Sequence, residues 1–195
     1  MKQSLVLAFL LVVVVASAAH AQIPPPIGSS EGAAVTAVHA KVVPNIAIRP
    51  LAPIVDAGSP ISGDISTGVV FLVHANTQSV RMWVTATDLF KGDVPLNPTV
   101  PPIRLDIQKG ARIQPSGANV LGGGSNVATL PSAPNADVLG FPGYQSTSID
   151  FESMDAGTFS HDVTVSLSWK MTNNEQPMGD YGGRVMLSAM CLPSW

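Results

Sequence analysis

The chain has 195 residues, with ten Lys and Arg against thirteen Asp and Glu, for a net charge of −3. An acidic balance excludes a nucleic-acid binder of the usual kind, which needs a basic face to neutralise phosphates. Charged residues are sparse at 12%, while Gly and Pro number 17 each, so the composition reads as all-β with long loops rather than helical.

Residues 1–21 read as a secretory signal peptide. Lys2 supplies the positive start, "LVLAFLLVVVV" the apolar run, and "SAAHA" the small-x-small site, with cleavage expected after Ala21. The apolar run, about 12 residues, is short of the roughly 20 needed to span a bilayer. The product is expected to be secreted, periplasmic or held at the cell surface, without a membrane span. Residues 22–32, "QIPPPIGSSEG", form a Pro-, Gly- and Ser-rich lead. A single domain is expected over 33–195.

Two runs open it, 34–43 and 45–49, split by Pro44, which cannot donate a ladder hydrogen bond and so marks an edge or a change of sheet. Val38, Ala40 and Val42 share a parity that Ile46 and Ile48 continue. The next run, 67–76, turns Val69, Phe71, Val73 and Ala75 to one face. After "ANTQS" comes 80–90, with Val80, Met82, Val84 and Ala86 inward. Two alternating runs around a short polar turn predict a β-hairpin. The stretch 91–148 holds most of the prolines and a triple glycine at 122–124, which predicts long connections with short strands.

The last segments alternate most clearly. In "GTFSHDVTVSLSWKM" (157–171), Val163, Val165, Leu167 and Trp169 face one way. In "DYGGRVMLSAMC" (180–191), Tyr181, Val185, Leu187, Ala189 and Cys191 do the same. A final hairpin is expected between them, with one face buried and one wet. Seven or more short strands favour an antiparallel β-sandwich. With aromatics at 6% and a proline-rich middle, an outer-membrane barrel is disfavoured.

The chain offers little catalytic chemistry. His39, His74 and His161 are not spaced for metal binding, and His161 and Asp162, adjacent on a strand, point to opposite faces. There is no Gly-x-Ser-x-Gly elbow, and Cys191 lies four residues from the last position. Neither catalytic residues nor a metal or cofactor is expected. Trp83 shares the polar parity of its strand with Arg81, Thr85 and Thr87, which makes it the candidate ligand contact of a carbohydrate-binding module.

Two stretches carry a resemblance. Val38-x-Ala40-x-Val42-x-Pro44-x-Ile46-x-Ile48 resembles the N-terminal strand of alpha-fimbrial, colonisation-factor-type pilin subunits, and "GDYGGRVMLSAM" (179–190) resembles their last strand. Similar last strands occur in other secreted immunoglobulin-like sandwiches. The resemblance implies an immunoglobulin-like sandwich and a structural or adhesive surface role. It also implies donation of the strand bearing Val38, Ala40 and Val42 to a neighbour. The partners implied are copies of itself, other surface subunits and a periplasmic chaperone. The longer lead and Cys191 depart from that family's pattern. The alternative is a soluble ligand-binding sandwich.

Overall fold

The computed structural model describes residues 36–58, 63–95, 100–171 and 176–193; the expected signal peptide and the lead lie outside them. Contacts divide the chain into two units, Met1–Val43 and Pro44–Trp195. Of the first unit, residues 36–43 are described, and they carry no strand. This corrects the expectation of a strand there. Alternation supplies a face, but strand geometry persists only where a sheet buries it, and Val38 and Val42 are 91% and 79% exposed.

The second unit is a β-sandwich, and no helix occurs among the described residues. Its strands begin with β1 (Ile46–Pro50), β2 (Gly63–Ala75), β3 (Ser79–Thr87), β4 (Phe90–Lys91) and β5 (Arg104–Leu105). The middle contributes β6 (Ala111–Pro115), β7 (Ala118–Val120), β8 (Val127–Ala128), β9 (Ala136–Val138), β10 (Phe141–Gln145) and β11 (Ile149–Ser153). The series closes with β12 (Phe159–Met171), β13 (Tyr181–Gly182) and β14 (Val185–Cys191). One sheet runs β1-β2-β12-β6-β8, with β5 beside the end of β12. The other is centred on β3, which has β14 along one side and β10 and β11 in succession along the other; β7 and β9 lie beyond them. All the pairings are antiparallel.

Neither expected hairpin forms. β2 pairs with β1 and β12, whereas β3 pairs with β14, β10 and β11, so the Asn76–Gln78 turn carries the chain from one sheet to the other. Likewise β12 and β14 belong to opposite sheets. The physical reason is that period-two patterning specifies which side of a strand is buried, while pairing and facing bury that side equally well.

The inward faces are as the alternation predicts. Val73, Val80, Met82, Val84, Val163 and Val165 are fully buried, and Trp169 is 2% exposed. The Trp169 Nε1–H donates to the Thr87 carbonyl at 2.8 Å, bonding the first sheet to the last residue of β3. The middle segment is pinned by a buried carboxylate. Asp88 accepts from Arg104 Nη1 at 2.8 Å, from the Leu105 N–H at 2.9 Å and from Tyr144 Oη at 3.4 Å. Burial, and then the charge of Asp88, push the Tyr144 phenol above its ordinary value.

Candidate functional site

The site is built from two sheet edges. β1 borders the first sheet and pairs with β2; β14 borders the second and pairs with β3. The other side of each meets no strand among the described residues. They flank the same side of the sandwich, where the Cys191 thiol lies 3.6 Å from the Asn45 carbonyl. Of the side chains facing inward here, Leu187 is buried, while Ile46, Ile48, Val69, Val185, Ala189 and Cys191 are partly buried. On the opposite flank the 121–126 connection joins β7 to β8, Ile113 and Phe151 beneath it are 0% and 1% exposed, and a surface depression is lined by Gln114, Asn119 and Asn126. The β1–β14 flank is therefore a strip of partly buried apolar side chains where the two edge strands lie against each other, each with one free backbone side. Chemically it can accept one further strand.

The expected site residues fall in separate places. Val38, Ala40 and Val42 are exposed and outside any strand. Trp83 is half-buried on the outer face of the second sheet, opposite Ser188 of β14, with Met186 and Met190 of the same strand 40% and 46% exposed. One step along that face, Arg81 makes a two-pronged pair with Asp150, at 2.6 and 2.8 Å. That hydrogen bond, with the guanidinium charge, holds the Asp150 carboxyl below its ordinary value and raises Arg81.

His74 is exposed and bonds Ser160 Oγ at 2.7 Å through Nδ1. His161 is buried in the sandwich, edge-on to Phe159, with Nε2 2.7 Å from Ser153 Oγ and 4.0 Å from Asp155 Oδ2. Both oxygens face the same ring nitrogen, so the trio lacks the nucleophile–base–orienter sequence of a catalytic triad. Ser153 is 2% exposed, which bars a substrate. Gly117, with φ +77°, packs against this ring, where a Cβ would stand 3.1 Å from the imidazole. The cluster ties β12 to β11 between the sheets. No group of three or more potential metal ligands occurs among the described residues.

Sequence reading missed two parts of the site. One is the exposed flank itself, which depends on pairing and not on pattern. The other is Asn76, whose side chain accepts the Asn45 N–H at 2.6 Å at the head of the groove. The only signal for it was its place in the polar turn. No family model, curated protein or solved structure matches this chain.

Proposed function

We propose that the protein is an exported, non-catalytic structural subunit of a surface filament, assembled by strand donation between copies. The observation that carries this reading is the free backbone side of β14, beside the partly buried apolar side chains of β1 and β14. Immunoglobulin-like sandwiches set strands A, B, E and D against C, F and G. On that scheme we read β1, β2, β12 and β6 as A, B, E and D, opposite β3 and β14 as C and F. The free side of β14 is then the position of strand G.

A strand seated there gains backbone bonds along β14 and covers the half-buried side chains of the groove. Residues 36–43 suit that role. Val38, Ala40 and Val42 offer small and medium apolar side chains on one parity, and His39 and Lys41 face water on the other. Burying each valine contributes about 1.5–3 kcal/mol before the entropy of ordering the segment is subtracted.

The test uses a chain lacking residues 22–43 and a synthetic peptide of residues 34–48. The peptide is expected to raise the thermal midpoint of the truncated chain, and a peptide with Val38, Ala40 and Val42 all replaced by Ser is expected not to. Equal behaviour of the two peptides contradicts the reading.

A second reading, a carbohydrate-binding module, is favoured by the partly buried Trp83 beside the Arg81–Asp150 pair. An indole face for stacking next to paired hydrogen-bonding groups suits a sugar. Loss of glycan-array binding in Trp83→Ala, with assembly unchanged, would support it.

A further inference from the structure

Three hydrogen bonds converge at the head of the groove. The Asn45 N–H donates to Asn76 Oδ1 at 2.6 Å, and the Asn76 N–H donates back to the Asn45 carbonyl at 3.1 Å. The Cys191 thiol donates to that same carbonyl at 3.6 Å. The first pair of β1 with β2, Ile46↔Ala75, follows immediately, while Pro44 on the other side has no N–H to give. The Asn45 carbonyl thus joins the edge of one sheet to the edge of the other.

β1 has five residues and is paired along one side, with Ala47, Arg49 and Pro50 exposed. Short edge strands of this kind open at low cost, from their ends. What holds the end of β1 therefore decides how wide the flank stands.

We infer that Asn76 is a latch for the groove: its reciprocal bonds with Asn45 hold the start of β1 down, keep Cys191 covered and set the separation of the two banks. This deepens the strand-donation reading and rests on it for its purpose, because a groove held at fixed width takes up a strand without reordering its own edge. The role is one of positioning. Asn76 acts on an incoming strand through β1.

The purified full-length protein provides the test, with Cys191 as its one thiol. Reaction with a thiol reagent is timed for the native chain, Asn76→Ala and Asn76→Asp. Losing a bond of this strength raises local opening by about tenfold. Asn76→Ala is expected to react about that much faster. Asn76→Asp keeps an acceptor for the Asn45 N–H and is expected to react more slowly than Asn76→Ala. Hydrogen exchange in Asn76→Ala should quicken at Ile46–Ile48 and leave Val163 and Val165 protected.

A native thiol rate in Asn76→Ala would overturn the latch. So would loss of protection throughout the sandwich at once, which would make Asn76 an ordinary stability residue. The donation reading fails separately: if peptide 34–48 shields Cys191 in none of the three proteins, the groove takes no strand, whatever the latch does.

Discussion

Replacing Trp169 tests whether the two sheets are held as described. The indole is 2% exposed on the inner face of β12, and its N–H reaches the Thr87 carbonyl of β3 at 2.8 Å. Truncation to Ala removes most of a large aromatic side chain from a packed interior, at about 3–5 kcal/mol. Loss of the inter-sheet hydrogen bond adds about 1 kcal/mol. Against a total stability of about 5–15 kcal/mol for a domain, that is a large fraction. Trp169→Phe keeps much of the volume and loses the bond, so it should cost about 1–3 kcal/mol. Urea unfolding followed by far-ultraviolet circular dichroism gives both values from the midpoints at constant slope. Trp83→Ala, on the outer face, is the control and should cost less than about 1.5 kcal/mol. A Trp169→Ala loss below about 1 kcal/mol, or a larger loss for Trp83→Ala, would mean the inner and outer faces are exchanged.

Acid should weaken the sandwich in a defined window. Asp150 is held below its ordinary value near 3.8, first by the Arg81 hydrogen bond, and Asp64 likewise by Lys109. A carboxyl with a lowered folded value stabilises above the unfolded value and loses that contribution as pH falls through the folded one. Stability from these pairs should hold down to about pH 5 and decline below about pH 4, and Asp150→Asn should flatten part of the decline. Protein recovered from outside the cytoplasm should begin at Gln22 by N-terminal sequencing; an intact Met1 in a membrane fraction contradicts the export reading. Gly117→Ala, which forces a Cβ against the His161 ring in a left-handed backbone, should lower the thermal midpoint by several degrees, whereas Gly122→Ala, with open space around it, pays the backbone strain alone.

The faces of the long strands were legible because parity records burial directly. Val80, Met82, Val84 and Ala86 in β3, and Val163 to Trp169 in β12, are inward as their alternation requires. Their partners were not legible. β2 and β3 look like a hairpin in sequence because each carries one apolar face, yet they face each other across the core and pair elsewhere. The same ambiguity concealed the candidate site, since a free strand edge follows from which strands end each sheet. Residues 34–43 show the converse. Their alternation is as clean as that of β1, but residues 36–43 carry no strand, because alternation alone does not make one. His161 was correctly separated from Asp162 by parity, and its actual neighbour, Ser153, came from a strand of the other sheet.

The central proposal is that residues 36–43 of another copy add to the free side of β14. Light scattering during size-exclusion chromatography, on the purified protein and on a chain lacking residues 22–43, tests it most directly. Donation is a head-to-tail contact that does not close on itself, so the intact protein should form a concentration-dependent series of oligomers without a fixed endpoint. The deletion should abolish that series. An intact protein that remains a monomer at every concentration, and matches the deleted chain in stability, would contradict the account.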